Sequence, residues 1–287
     1  MLSLLRPVHT LLLALAYLLG ASLARYLGAD FDLLAFLLGF LWLSFLLTAA
    51  NLLDAAYRNP AEPFLPEQTP RQRDEYRRKL LVLAAALLTL VGALTVPLVA
   101  LQLAQPLALV FLALAGLTAV LYAVPPVRLA NRGAGEFALA FLVAILAPAL
   151  AFTLQYGELH RLLAAYIFPL AFLALAAFLA LNFSAFSHDQ KYARQSLLVR
   201  LGWQAAIPTH NGFLAAAYLL LAAMPFFGVP FNLAWPGLLT IPLAAFQVYQ
   251  FRRLADGEKP VWPLLSSLAV AIPGLTAYLL TLSLWLR

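Results

Sequence analysis

The sequence contains no cysteine, and only 10% of its 287 residues are charged. The absence of cysteine excludes a disulfide framework, a thiolate metal site and a cysteine nucleophile. The scarcity of charge, together with a hydrophobic content of 64%, excludes a soluble globular domain, in which about a quarter of the residues are charged. Disorder is also excluded, because it requires low hydrophobicity and high charge. The composition therefore predicts an integral membrane protein.

The apolar stretches are continuous and rich in Leu and Ala, which favours membrane helices over the alternating strands of a β-barrel. We predict an all-α polytopic membrane protein in which residues 1–287 form a single transmembrane domain. The sequence predicts nine spans, at about 8–27, 32–56, 79–101, 106–123, 134–155, 161–184, 205–227, 232–250 and 263–285.

The basic residues are distributed unevenly between the two sides that nine spans would create. Fifteen of the 18 Lys and Arg residues fall on the N-terminal side, at Arg6 and in or beside the loops 57–78, 124–133, 185–204 and 251–262. By the positive-inside rule this side is cytoplasmic, and we expect a prokaryotic plasma membrane. The net charge of +6 then matches anionic lipid, and no nucleic-acid partner is expected.

Two polar clusters lie at the predicted ends of spans 2 and 6, where polar groups are costly and mark candidate sites. They comprise Asn51, Asp54 and Arg58, and Asn182, Ser184, Ser187, His188 and Asp189. Asn51, Asp54 and Arg58 share the i, i+3, i+7 spacing of one helix face. Two such patches rimmed by basic residues suit an anionic ligand such as a diphosphate. The simpler alternative is that Asp54 and Arg58 form one i, i+4 ion pair at a helix end.

A third polar segment, YAVPPVRLANRGAGE (122–136), follows span 4. Pro125 and Pro126 stop the preceding helix, and Gly133 and Gly135 permit a tight entry into span 5. Taken on its own, this segment predicts a stiff connecting turn.

These segments together resemble the UbiA superfamily of intramembrane prenyltransferases. Residues 122–136 are similar to the family's Y-S-x-P-P-x-R-L-K-x-R-G-x-G-E stretch, and the opening LLRPVHTLLLALAYLLG resembles the start of its first helix. Residues 51–60 resemble the first aspartate-rich motif, N-D-x-x-D-x-x-x-D, and residues 182–202 resemble the second, D-x-x-D-x-x-x-D, with its V-R-L-G tail. Order, spacing and span number agree over nearly the whole chain.

The resemblance implies nine helices around a central cavity in which the two aspartate motifs face each other. In this family the motifs hold Mg²⁺, which binds the diphosphate of an isoprenyl donor while an aromatic acceptor attacks the allylic cation. The predicted function is therefore a divergent UbiA-type prenyltransferase. It would use an isoprenyl diphosphate and a small aromatic acceptor, such as a quinone precursor, or another lipid acceptor.

Both motifs depart from the family pattern. Their six aspartate positions fall on Asn51, Asp54, Arg58, Asn182, Ala185 and Asp189. The resemblance implies Mg²⁺ ligands at Asp54, Asp189, Asn51 and Asn182. It implies diphosphate-binding residues at Asn51, Arg58, Asn182, Lys191, Arg194 and Arg128. It implies catalytic residues at Asp54, Asp189 and Tyr122, whose ring would stabilise the cation.

Two alternatives to this prediction remain open. Because only two motif carboxylates survive, either fewer Mg²⁺ ions are bound, or Arg58, Lys191 and Arg194 contact the diphosphate directly without a protein-bound metal. The second alternative is a different function, either a non-catalytic isoprenoid-binding protein or partner subunit, or a transporter that shares the scaffold. The loop segments 57–78 and 185–204 are predicted to cap the cavity. The Pro-rich first half of the former is expected to be irregular, and RQRDEYRRK (71–79) is expected to be helical.

Overall fold

The computed structural model describes residues 6–65 and 68–286. In this part of the chain every regular element is helical, and nine helices are long and apolar enough to cross a membrane. They are α1 (Pro7–Tyr26), α2 (Leu33–Ala56), α3 (Pro70–Ala100), α4 (Pro106–Ala123), α5 (Gly135–Tyr156), α6 (Arg161–Lys191), α7 (Leu197–Phe227), α8 (Phe231–Ala255) and α9 (Trp262–Trp285). The predicted all-α fold with nine spans is confirmed for the described chain.

Helix α7 begins earlier than the sequence predicted, and helix α3 includes residues 71–79, which were expected to be helical, ahead of its predicted span. Helix α3 starts at Pro70 because Thr69 forms a capping box with Gln72: the Thr69 hydroxyl accepts from the Gln72 amide, and the Gln72 side chain accepts from the Thr69 amide. Helix α7 starts at Leu197 rather than near residue 205. The described connections are therefore 57–65, 68–69 and 192–196; the predicted cap segment 185–204 is mostly helical, whereas the segment 57–78 is helical only from Pro70 onward.

Four of the membrane helices are interrupted, and one of them is α8, which is broken by a turn at residues 239–240. Helix α5 contains a π-helical segment at Phe141–Leu146, and the backbone of α7 departs from helical geometry at Gly202 (φ 71°). Helix α6 tightens into a 3₁₀ turn at Phe183–Ala185. Because a 3₁₀ turn has three residues rather than 3.6, the helical register of α6 changes between Asn182 and Asp189.

Helices α5 and α6 lie at the centre of the bundle, with α1 and α9 packed beside them. Small residues allow the closest approach: a Cβ atom on Gly20 of α1 would overlap the backbone of Pro148 in α5. Helices α3, α7 and α8 are peripheral and expose leucine and valine side chains such as Val82, Leu90 and Leu219. Helix packing in lipid depends on close backbone contact rather than on hydrophobicity, so the small residues position the central helices.

One end of the bundle carries the start of α1, the end of α2 and the described loop residues 57–65, 68–69, 124–134 and 192–196, and we call it the site face. Direct hydrogen bonds join these loops. Asn59 Nδ2 donates to Tyr192 O at 3.1 Å, and the Gln195 amide donates to Asn131 Oδ1 at 2.9 Å. The Gly133 amide, at a φ of 71°, donates to Gln195 O at 2.6 Å. The loops therefore form one connected layer over the helix ends.

The contact between α1 and α5 gives the first prediction. Gly20→Ala is expected to lower the free energy of unfolding by about 1–3 kcal/mol, because the added methyl group must separate two packed backbones. Thermal unfolding of the detergent-purified protein measures the effect. Gly116→Ala is the control, because its Cβ meets no atom within 4 Å, and it should not be destabilising. Equal stability of the two variants would contradict the packing argument.

Candidate functional site

A cavity of about 390 Å³ opens among the starts of α1 and α5 and the end of α6. One part of its wall is basic, with the side chains of Arg6, Arg58 and Arg194. Another part is acidic and contains Glu136 and Asp189. The cavity therefore presents both signs of charge to a ligand.

The basic wall is organised by the buried carboxylate of Asp54. Its Oδ2 accepts from Nη2 of Arg6 at 2.9 Å and from Nη2 of Arg194 at 2.9 Å. Its Oδ1 lies 3.4 Å from Nη2 of Arg128, which also donates to the Asp54 main-chain carbonyl at 3.2 Å. Asp54 is 0% exposed, so its charge is neutralised entirely by arginine. We call Arg6, Arg58, Arg128 and Arg194 the arginine cluster.

Asp54 draws these arginines together from distant parts of the chain. It lies in the last turn of α2, whereas Arg6 precedes α1, Arg128 follows α4 and Arg194 precedes α7. Three non-glycine residues there have left-handed backbones: Arg6 (φ 46°), Arg128 (φ 41°) and Ala193 (φ 55°), next to Arg194. Such conformations cost about 1–3 kcal/mol each and persist where surrounding contacts hold them. The ion pairs with Asp54 supply those contacts.

The fourth arginine of the cluster has a different partner. Arg58 Nη1 donates to Glu62 Oε1 at 3.1 Å, so the i, i+4 pair of Arg58 runs forward to Glu62, and the simpler alternative of a single pair between Asp54 and Arg58 is not observed. Burial and the neighbouring Arg194 lower the pKa of Arg58. The carboxylate of Asp54 raises the pKa of Arg194. Because the unperturbed pKa of arginine lies far above neutrality, both side chains are charged.

The arginine cluster remains accessible to a ligand. The side chains of its four members keep 16–20% of their surface exposed. A second cavity of about 280 Å³ is lined by Arg128 and shares Arg58 and Arg194 with the first. Glu62 also borders both cavities, and His188 Nδ1 lies 3.9 Å from Glu62 Oε1. The cluster thus stands between two openings on the site face.

The acidic wall is built by contacts between α5, α6 and α7. Glu136 Oε1 accepts from Asn182 Nδ2 at 2.6 Å and from the Leu197 amide at 3.0 Å. Asp189 Oδ2 accepts from the Ser196 hydroxyl at 3.1 Å. Neither Glu136 nor Asp189 forms an ion pair within the described residues. This wall therefore carries two carboxyl groups that are not paired with arginine in the described chain.

The structure brings most of the predicted site residues together, although in separate environments. Five of them line the first cavity: Arg58, Tyr122, Asn182, Asp189 and Arg194. Asp54 does not line this cavity but contacts Arg6 and Arg194, which do. Asn51 is 1% exposed, lines neither of these cavities, and its side-chain amide has no hydrogen-bond partner among the described residues. Lys191 lies outside this group: it is exposed, and its Nζ is 5.3 Å from the ring centre of Tyr192.

The donor set does not fit an Mg²⁺ ion held by the protein. Mg²⁺ prefers oxygen ligands, usually carboxylates, in near-octahedral geometry. Asp54 is surrounded by cations that repel a second positive charge, and Asp189 is bound to Ser196. Within residues 6–65 and 68–286, no three acidic, histidine or cysteine side chains form a metal-binding group. The arrangement favours direct recognition of an anion by arginine.

Three site residues were missed by sequence reasoning, namely Arg6, Glu62 and Glu136. Arg6 was counted among the basic residues and belongs to the segment that resembles the start of the family's first helix, but it was assigned no role in the site. Glu136 is an acid at the edge of an apolar span, and no basic residue lies within three positions of it. An isolated carboxylate of this kind is a site candidate, because burying its charge is costly. The sequence therefore contained a signal for Glu136.

The role of Asp54 yields the second prediction. Asp54→Asn is expected to lower the free energy of unfolding by about 3–5 kcal/mol, because three arginines would lose their shared counter-charge. Thermal unfolding in detergent with EDTA measures the effect, and Asp74→Asn is the control because Asp74 is exposed on α3. A carboxylate that served only as a metal ligand would leave the metal-free protein equally stable, and this result would contradict the arginine-organising role.

Comparison with known structures identifies the fold. A UbiA homologue from Archaeoglobus fulgidus bound to GPP and Mg²⁺ is 18% identical, over 96% of this chain and 98% of that chain, with a TM-score of 0.67. The structure of the A. fulgidus UbiA homologue bound to DMAPP and Mg²⁺ is 19% identical, with the same coverage of both chains and a TM-score of 0.65. The apo UbiA homologue from Aeropyrum pernix is 16% identical, over 94% and 96% of the two chains, with a TM-score of 0.61.

No protein-family model and no curated protein matches the sequence. The structural agreement nevertheless extends over nearly the whole of both chains. The resemblance to the UbiA superfamily is therefore confirmed at the level of the fold: this chain has the nine-helix fold of the UbiA homologues.

Proposed function

We propose that the chain is a member of the UbiA superfamily that binds an isoprenyl diphosphate and transfers its isoprenyl group to an aromatic acceptor, such as a quinone precursor, or to another lipid acceptor. The observation that carries the proposal is the arginine cluster at the wall of the cavity. The homologues with GPP or DMAPP bound support this class of donor, because both ligands are isoprenyl diphosphates.

The charge of the cluster suits a diphosphate. Four guanidinium groups lie beside only two ion-paired carboxylates, Asp54 and Glu62, so positive charge remains in excess. Guanidinium groups recognise phosphate oxygens through paired hydrogen bonds. Arg58 and Arg194 border both cavities and are our principal candidates for contact with the diphosphate. Asp54 is then a positioning residue, because it holds Arg6, Arg128 and Arg194 before the ligand arrives.

The arrangement supports breakage of the bond between the isoprenyl carbon and the diphosphate. As that bond breaks, its electron pair leaves with the diphosphate, and preorganised arginines stabilise the developing negative charge. The isoprenyl carbon becomes an allylic cation. Tyr122, whose hydroxyl accepts from Arg6 Nη1 at 2.7 Å, lines the cavity and offers a π face to such a cation. An electron-rich acceptor then forms the new bond.

We also propose that the site face lies in the cytoplasm of a prokaryote. Fifteen of the 18 basic residues lie on that side of the predicted spans, which is the asymmetry of the positive-inside rule. A charged, water-soluble leaving group would then be released into the cytoplasm.

The direct recognition of the diphosphate by arginine gives the third prediction. The purified protein is expected to bind geranyl diphosphate saturably in EDTA, because arginines rather than a metal supply the positive charge. Its affinity in EDTA should lie within about threefold of that in Mg²⁺, a difference of about 0.7 kcal/mol. Isothermal titration in both buffers measures this. Binding that requires Mg²⁺ would contradict the arginine mechanism and restore the four-ligand metal site as the better explanation.

The fourth prediction concerns transfer. With geranylgeranyl diphosphate and a pool of aromatic acceptors, the protein is expected to release diphosphate. Arg194→Lys should lower kcat/KM about 10- to 100-fold, because a charge-assisted hydrogen bond contributes roughly 1.5–3 kcal/mol. Arg252→Lys is the control, since Arg252 is exposed in α8. Unchanged activity of Arg194→Lys would exclude this residue from the diphosphate site.

One observation favours a second function, that of a non-catalytic isoprenoid receptor or partner subunit. Asp54, a surviving motif carboxylate, is fully engaged with arginine, so the family's metal-assisted departure of the leaving group is not supported here. The same assay separates the two functions. Saturable binding of the diphosphate, lost in Arg194→Ala and unaccompanied by release under any acceptor, would identify a receptor.

A further inference from the structure

Glu136 has a carboxylate oxygen that the described protein leaves without a partner. The residue is 4% exposed and lines the first cavity. Its Oε1 accepts two hydrogen bonds, from Asn182 Nδ2 and from the Leu197 amide. Its Oε2 is buried and has no hydrogen-bond partner. An unsatisfied buried carboxylate oxygen is costly, so its persistence beside a cavity points to a ligand that satisfies it.

The contacts on Oε1 fix the orientation of this side chain. Asn182 ends the regular part of α6 and Leu197 begins α7, so Glu136 is held from two helices besides its own. The loop before α5 is also tied down, because the Gly133 amide donates to Gln195 O. Glu136 is therefore a preorganised acceptor rather than a flexible surface acid.

The other carboxylates of the site have partners of their own. Asp54 and Glu62 are paired with arginines, and Asp189 accepts from Ser196. A diphosphate bound by the arginine cluster would be repelled by Glu136. The acceptor, in contrast, must lose a proton when it is prenylated. The cavity thus combines a basic wall for the donor with an acidic wall suited to a hydrogen-bond donor.

We infer that Glu136 binds the acceptor: its Oε2 accepts a hydrogen bond from a hydroxyl group of an aromatic substrate and removes that proton during transfer. This inference rests on the proposed function and specifies its acceptor class. The bond between the isoprenyl carbon and the diphosphate breaks, and the electron pair leaves with the diphosphate. The acceptor oxygen forms the new bond to that carbon; where a ring carbon forms it instead, the hydrogen on that ring carbon leaves as a proton to water and the oxygen takes its proton back from Glu136. The hydroxyl proton passes to Glu136 Oε2.

Glu136→Gln separates this role from a purely structural one. The amide oxygen of glutamine can still accept from Asn182 and Leu197, so the structural contacts are retained. Its –NH₂ group, which would replace Oε2, cannot take a proton. Glu75→Gln is the matched control, because Glu75 is exposed and pairs with Lys79 on the surface of α3.

The experiment uses the full-length protein in detergent with two probes, 1-naphthol and its methyl ether, which lacks the hydroxyl proton. Binding of each probe is measured by fluorescence with an unreactive thiolo analogue of geranyl diphosphate present. The wild-type protein and Glu75→Gln are expected to bind 1-naphthol at least about tenfold more tightly than the ether. Glu136→Gln should lose this preference.

Transfer from geranyl diphosphate to 1-naphthol is measured in the same three proteins. Glu136→Gln is expected to lower kcat at least about 100-fold, as for loss of a general base, while the affinity for the donor analogue stays within about twofold of wild type. Normal transfer with an intact preference for naphthol in Glu136→Gln would overturn the inference and leave Glu136 a structural residue.

The experiment gives a different result if the protein is not a transferase than if Glu136 does not bind the acceptor. If the wild-type protein binds the donor analogue but transfers nothing, the transferase is rejected, and the probe preference alone decides the role of Glu136. If Glu136→Gln does not fold, the comparison of naphthol with its ether in the wild-type protein remains. Equal affinity for the two probes would overturn the inference in either case.

Discussion

The ion pairs around Asp54 are the interaction on which the rest of the site depends. One buried carboxylate binds arginines that come from before α1, after α4 and before α7. Three separate parts of the chain are thereby fixed to the end of α2. Two of the arginines, Arg6 and Arg128, have left-handed backbones, so the attraction to Asp54 also holds strained conformations. The shape and the charge of the site face thus have one common origin.

This arrangement reverses the electrostatics that the UbiA resemblance implies. The family motifs supply carboxylates that attract Mg²⁺, and the metal then attracts the diphosphate. Here the surviving Asp54 is covered by arginines, and the remaining motif positions include Arg58 and Ala185. A polyanion is attracted by either design, since both present net positive charge to it. In this chain that charge is covalently part of the protein, and Asp54 acts as the counter-ion that keeps the arginines in place.

Much of the fold was predictable from the sequence. The nine spans follow from the continuous apolar stretches, because each bilayer crossing requires a hydrophobic segment of nearly fixed length. The end of α4 follows from Pro125 and Pro126, which cannot continue a helix. The starts of α3 and α7 were less predictable from hydropathy: both helices extend beyond the apolar stretch into polar sequence, where it carries no information. The capping box of Thr69 and Gln72 was the local signal that marked the first of them.

The sequence by itself determined the number of spans, the scarcity of carboxylates and the surplus of basic residues beside the motifs, because these follow from composition and short-range spacing. The tertiary structure decided which charges meet. The local pattern offered Arg58 as the partner of Asp54, at four residues' distance, whereas the folded chain pairs Asp54 with residues 48, 74 and 140 positions away. It likewise placed Glu136 beside Asn182 and Leu197. Ion pairs and hydrogen bonds act over a few ångströms in space, and helix packing alone brings such distant residues within that range.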